Sequence, residues 1–226
     1  CRMPAESPLR DRESSDFELI ETMRWEPAGG FIRFERHLAR LYASARELGF
    51  DYHPERIGET LKNAISNPTV ALRARLVLSA NGNVTASTQA YESLPAGKVW
   101  TLRFARTRLD SAEPLLRHKT TRRHAYMKAR SEYQVHQADE VILINERREV
   151  CEGTITNIFV QTDDGDLLTP ELACGLLPGV LRSELIETGK AREIVLAPDD
   201  LADAPALFVG NSLRGLVPAR LGGDPN

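Results

Sequence analysis

Cysteine is scarce in this chain: Cys1, Cys151 and Cys174 are an odd number without Cys-x-x-Cys spacing. That excludes a disulfide framework and a thiolate zinc centre, so reduced thiols and no metal are expected. Cys151, beside Glu152, can be read as a nucleophile, but a small buried apolar role is the stronger reading. Long apolar runs are also lacking. No stretch approaches membrane-spanning length, and Cys1 to Asp16 is polar and charged, without the apolar segment of a secretory signal. A soluble cytoplasmic protein with no membrane partner is the expectation. Nor is there charge of one sign: 29 Lys and Arg against 32 Asp and Glu give a net charge of -3. That balance argues against a polyanion-binding protein. Taken alone, Arg117 to Arg130, with its cations around Tyr126, resembles a nucleic-acid-binding helix, but no sustained basic face accompanies it and no nucleic-acid partner is expected. Internal repeats and low-complexity segments are absent.

What is there suffices for one large or two small globular domains, with hydrophobic residues at 42% of 226. Alternation from Phe17 to Trp25 predicts a strand, ending at a turn over Glu26 to Gly30, with a short return strand from Phe31 to Phe34. Leu38, Leu41, Tyr42, Ala45 and Leu48 then recur at helical spacing, and Gly49 supplies the stop. A second helix follows Pro54, and Val70–Ser79 and Val84–Tyr91 flank Asn81-Gly82-Asn83 as a hairpin. Ser93 to Gly97 is the best boundary candidate, which divides the chain into domains 1–94 and 98–226. Beyond it the pattern predicts a strand from Val99 to Ala105 and a helix from about Arg122 to Gln137. Strands follow at Val141–Asn145, Thr156–Gln161 and Leu167–Thr169, then a helix from Val180 to Glu187 and strands at Glu193–Leu196 and Leu207–Val209.

Lys119, in His118-Lys119-Thr120-Thr121, and Glu152, in Glu152-Gly153-Thr154-Ile155-Thr156-Asn157, form a lysine–acid pair at long range. A lysine amine can hold pyridoxal phosphate as a Schiff base and then act as a base, while a carboxylate facing the pyridine nitrogen keeps it protonated. Read alone, Lys119 among Arg117, His118, Arg122 and Arg123 belongs to a solvated basic face, and Glu152 is a surface acid at a loop. If the lysine is functional, the same cations favour its neutral amine.

The segments HKTTRRHAY, ADEVILINERREVCEGTITNIFV, LLTPELACGLLPGVLR and LFVGNSLRGL, in this order, resemble the class IV aminotransferase family, which binds pyridoxal phosphate. The resemblance covers roughly Phe17 to Arg220. HKTTRR followed by Tyr126, together with NSLRGL, is most similar to the family's 4-amino-4-deoxychorismate lyase branch. It implies an α+β, two-domain fold type IV architecture with a small N-terminal α/β domain and a larger, β-barrel-like C-terminal domain. It also implies Lys119 as the catalytic, cofactor-holding lysine and Glu152 as the partner of the pyridine nitrogen. Arg40, in His37-Leu38-Ala39-Arg40, would grip the cofactor phosphate, with the helix-opening amides of Val180 and Leu181 after Gly179, and with Ser212. Arg123 and Tyr126 would face the cofactor's phenolic oxygen or the substrate, and Arg214 and Thr22 are further substrate candidates. The expected activity is the lyase reaction on a small-molecule substrate, giving 4-aminobenzoate and pyruvate for folate synthesis. The alternative is an aminotransferase of branched-chain or D-amino acids. A homodimer and a functional link to aminodeoxychorismate synthase are implied as well.

Overall fold

The structure, a computed structural model, describes residues 17–65 and 69–223. The predictions made for Cys1 to Asp16 lie outside the described residues. The chain forms two compact units: the first runs to Glu92 and takes in His118–Arg122, and the second comprises Ser93–Arg117 and Arg123 onward.

The first unit contains β1 (Leu19–Glu26), β2 (Gly30–Phe31), α1 (Phe34–Leu48), α2 (Pro54–Ala64), β3 (Leu72–Leu78) and β4 (Val84–Ala90). The strands make one antiparallel sheet in the order β2-β1-β3-β4. Period-two burial decides which face the helices cover. Leu72, Ala74, Leu76 and Leu78 are buried, and opposite the last three stand Met23, Glu21 and Leu19. α1 packs on β1, and α2 on β3 and β4. α1 ends as predicted at Gly49, whose φ of 70° lets its N–H bond back to the Ala45 carbonyl. Its buried stripe differs from the predicted one: His37, Leu41, Ser44, Ala45 and Leu48 are buried, whereas Tyr42 is 50% exposed. The return strand is also shorter than predicted. It ends at Phe31, because Arg33 at φ 56° turns the chain directly into α1. His118–Arg122 joins this unit along β1, on the edge that β3 does not use. The Ile20 N–H donates to the Lys119 carbonyl at 2.8 Å and the Thr121 N–H to the Glu18 carbonyl at 2.9 Å.

The second unit contains β5 (Trp100–Leu109), α3 (His124–Ser131), β6 (Glu140–Asn145), β7 (Val150–Gly153), β8 (Asn157–Gln161) and β9 (Leu167–Pro170). These are followed by α4 (Val180–Glu187), β10 (Ala191–Ile194), α5 (Pro198–Ala202), β11 (Ala206–Asn211) and β12 (Gly215–Leu221). One mixed sheet has the order β10-β9-β8-β11-β12-β5-β6-β7. All six residues of β6 are buried. Ile142 and Ile144 lie in a core with Trp100, Leu102, Ile158 and Val209, while Val141 and Leu143 pack with Ala129, Cys151 and Cys174 on the α3 side. Both cysteines are free. Burial raises the Cys151 thiol far above its ordinary range and pushes Cys174 up to about 12, so neither suits nucleophilic work. The helix predicted to run to Gln137 stops at Ser131, and β7, α5 and β12 were not predicted at all.

Candidate active site

Glu152, the penultimate residue of β7, stands opposite Leu143 and is 4% exposed. Its Oε1 accepts the Tyr126 hydroxyl at 2.7 Å and the Leu177 N–H at 3.1 Å. Burial first, and the neighbouring Glu152 second, raise the Tyr126 phenol well above its usual range, which fixes it as a neutral donor. The Arg123 guanidinium lies 4.6 Å from the Tyr126 ring centroid and donates to the Thr154 carbonyl. Tyr126 therefore bonds the acid itself.

The loop that follows Glu152 is held by a residue the sequence reading passed over. Glu140, 1% exposed at the start of β6, accepts the Thr154 N–H at 3.0 Å and the Thr154 hydroxyl at 2.5 Å on Oε1. Its Oε2 accepts the Ile155 N–H at 3.0 Å and the Thr156 hydroxyl at 2.9 Å. Such a set is what a buried carboxylate needs to offset its lost hydration. The one hint in the sequence was an acid leading directly into the apolar run Val141 to Ile144. Asn211 ties the same loop to the turn that carries Ser212. Its Nδ2 donates to the Ile155 carbonyl at 3.1 Å, and its Oδ1 accepts the N–H groups of Leu213 and Arg214 at 3.1 and 3.0 Å.

α4 begins with no side-chain cap, and its first helical bond runs from the Ser183 N–H to the Gly179 carbonyl at 2.8 Å. The Val180 and Leu181 amides belong to the first turn, which has no carbonyl four residues back within the helix. Glycine is required just ahead of them, because a Cβ at Gly179 would lie 1.8 Å from Asn157 Oδ1. Leu181 packs on Gly210, next to the Ser212 turn. Glu152, Tyr126, Arg123, Val180, Leu181 and Ser212 all belong to the second unit, as does Arg214, whose guanidinium lies 5.6 Å from the Trp100 ring centroid. A buried carboxylate beside helix-opening amides fits a ligand with a cationic ring nitrogen and a phosphate. Gly179→Ala is expected to displace Asn157 and the start of α4, at a cost of about 1–3 kcal/mol. Pyridoxal phosphate should then bind about ten-fold more weakly in a fluorescence titration.

The first unit carries the remaining predicted residues. Buried Glu21 accepts Arg40 Nε at 2.8 Å and Nη2 at 2.7 Å, and it contacts His37 Nδ1 at 2.7 Å. Burial opposes charge on Glu21, but Arg40 and His37 outweigh it and hold the carboxyl down to about 2. Arg40 is therefore oriented by a two-point ion pair. Thr22 points to the opposite sheet face, across from Arg75, with Arg24 across from Arg73. Lys119 is half-buried, and its backbone is paired with β1 as described.

The amino-transferase class IV family model matches residues 18–221, and the chain belongs to that family. It is 30% identical over 202 residues to a Schizosaccharomyces pombe protein provisionally named aminodeoxychorismate lyase, covering 87% of this chain and 86% of that protein. A solved Mesorhizobium loti structure, provisionally described as an amino-acid aminotransferase, is 63% identical with a TM-score of 0.90, covering 92% of this chain and 100% of that one. A Thermotoga maritima structure, provisionally described as a branched-chain amino acid aminotransferase, shares the fold at 24% identity and a TM-score of 0.80, covering 94% and 82% of the two chains. The fold is the α+β class IV fold, and pyridoxal phosphate is its cofactor.

Proposed function

We propose that this class IV pyridoxal phosphate enzyme is a lyase that converts 4-amino-4-deoxychorismate to 4-aminobenzoate and pyruvate. The observation that carries the reading is the likeness to the fission-yeast protein over 87% of the chain. A second feature supports it: Arg73 and Arg75 on β3 stand across from Arg24 and Thr22 on β1, an arginine-rich face, with Arg24 itself paired to Glu26, that suits a substrate bearing carboxylates.

In this reading Lys119 holds the cofactor, Glu152 faces its ring nitrogen, and Arg40, the Val180 and Leu181 amides and Ser212 take its phosphate. The cofactor supplies an electron sink for the carbon that bears the substrate amine. Lys119 removes the proton from that ring carbon, the carbon–oxygen bond to the enolpyruvyl group breaks, and the ring becomes aromatic. The released enolpyruvate takes up a proton as pyruvate. Tyr126 and Arg123 keep the Glu152 carboxylate and the Thr154 carbonyl in place. The protein works in the cytoplasm as a homodimer, beside a synthase that supplies its substrate.

The second reading, an aminotransferase acting on branched-chain or D-amino acids, draws on the Mesorhizobium loti likeness. The two differ in where the proton and the leaving group go, not in the lysine–acid pair. Incubation of the purified protein with 4-amino-4-deoxychorismate should release 4-aminobenzoate and pyruvate in equal amounts. Amino transfer to a 2-oxo acid, with no 4-aminobenzoate formed, would replace the lyase by the aminotransferase.

A further inference from the structure

We propose that His118 is the positioning residue for Lys119, a latch that fastens the lysine-bearing segment to α1. The inference rests on the reading of Lys119 as the cofactor lysine and goes beyond it by naming what holds that lysine in place. His118 is buried, with its Nδ1 hydrogen-bonded to Ser44 Oγ at 2.9 Å, the stronger tie, and its Nε2 at ion-pair rather than hydrogen-bond distance, 3.5 Å, from the exposed Glu47 carboxylate. Ser44 and Glu47 lie one helical turn apart on α1, so both ring nitrogens meet the same helix face. Arg40 and His37 extend that face toward Glu21 on β1. α1 thus carries a polar seam, one half binding Glu21 and the other binding His118.

The position of His118 in the chain gives the latch its effect. It is the first residue of the segment that belongs to the first unit, since Arg117 belongs to the second. At and beyond Lys119 the segment is pinned by the Lys119 carbonyl on Ile20 and by Thr121, whose N–H and hydroxyl both bond Glu18 at 2.9 Å. On the other side of Lys119 the imidazole supplies the tie. With both sides fixed, the Lys119 Cα is fixed, and the amine moves only through its own side-chain torsions. Releasing one side lets the Cα swing, and misplacing a reacting group by about 1 Å can cost on the order of a hundred-fold in rate.

His118→Phe keeps a planar aromatic ring, slightly larger than imidazole, and removes both nitrogens, whereas His118→Asn returns a donor near the Nδ1 position. The cofactor-free protein is mixed with pyridoxal phosphate. Capture at Lys119 is followed by absorbance and located by borohydride reduction and mass spectrometry, and amide exchange at Ile20 and Thr121 is measured without cofactor. We expect His118→Phe to slow capture by about ten-fold or more and to speed exchange at both amides, with most of the loss recovered by His118→Asn. In a Lys119→Ala background the same substitution should leave pyridoxal phosphate affinity unchanged. Ser44→Ala, which removes one of the two contacts, should give an intermediate slowing even where His118→Phe does not fold. Capture at Lys119 at the wild-type rate in all variants would overturn the latch and leave the reading of Lys119 intact. So would an equal loss of affinity in the Lys119→Ala background. An adduct on a different residue of the wild-type protein would overturn both.

Discussion

Lys119→Ala is expected to lower kcat by about four orders of magnitude or more, because one substitution removes both the covalent attachment of the cofactor and the base that takes the substrate proton. The fold should survive. The bond that Lys119 makes to β1 uses its carbonyl, which donates nothing and accepts the Ile20 N–H at 2.8 Å whatever the side chain. The far-ultraviolet circular dichroism of the variant should therefore match that of the wild type. Lys119→Arg separates the two meanings of the residue. Arginine keeps the positive charge but cannot give up its proton to become a nucleophile or base. It should be as inactive as alanine if the amine matters, and largely active if the charge alone matters. Borohydride reduction in the presence of pyridoxal phosphate should yield a peptide adduct in the wild type and none at position 119 in either variant. Substantial turnover by Lys119→Ala would remove Lys119 from the mechanism.

Elements with local signals were legible in the sequence. α4 spans Val180–Glu187 as predicted, α1 stops at Gly49, and the β3–β4 hairpin turns at Gly82 with φ 76°. The misread boundaries coincide with turns made without glycine. Arg33 at φ 56° ends the return strand early, and Arg148 at φ 67° turns β6 into β7. Neither residue type announces a left-handed conformation, so the β6–β7 hairpin left no mark in the sequence. β7 is also buried on both faces, which removes the alternation that identifies a strand. β12 was hidden by Pro218, a residue that argues against a strand; it pairs with Phe208 on β11, just before the pairing with β5 begins at Ala219. In the candidate site, the residues found were those that a motif marks. Glu140, Asn211 and the pairing of Glu21 with Arg40 and His37 escaped because their work is done through contacts far along the chain. Glu21 did carry a clue, since it shares its strand face with Leu19 and Met23, and an acid on an apolar face calls for a buried cation.

The Glu21 cluster carries the largest stability effect expected in the first unit. Glu21→Gln keeps the volume but removes the charge that faces Arg40 through two bonds and His37 through a third. Arg40 has only 12% of its side chain exposed, so water cannot replace the lost counter-ion, and breaking such a pair costs about 3–5 kcal/mol. The pH dependence provides an independent check. The folded carboxyl titrates at about 2, below its ordinary value of 4.5, so the unfolded chain binds its proton first as the medium is acidified. The stabilising contribution is therefore complete above about pH 4.5, shrinks as pH falls, and is gone below about pH 2. Its size, on the order of 3 kcal/mol, agrees with the cost of breaking the pair. Urea unfolding at a series of pH values should show this increment lost on the acid side in the wild type and missing from Glu21→Gln throughout. A parallel decline in both proteins between pH 4.5 and 2 would assign the acid sensitivity to other carboxyls and leave Arg40 oriented by something besides Glu21.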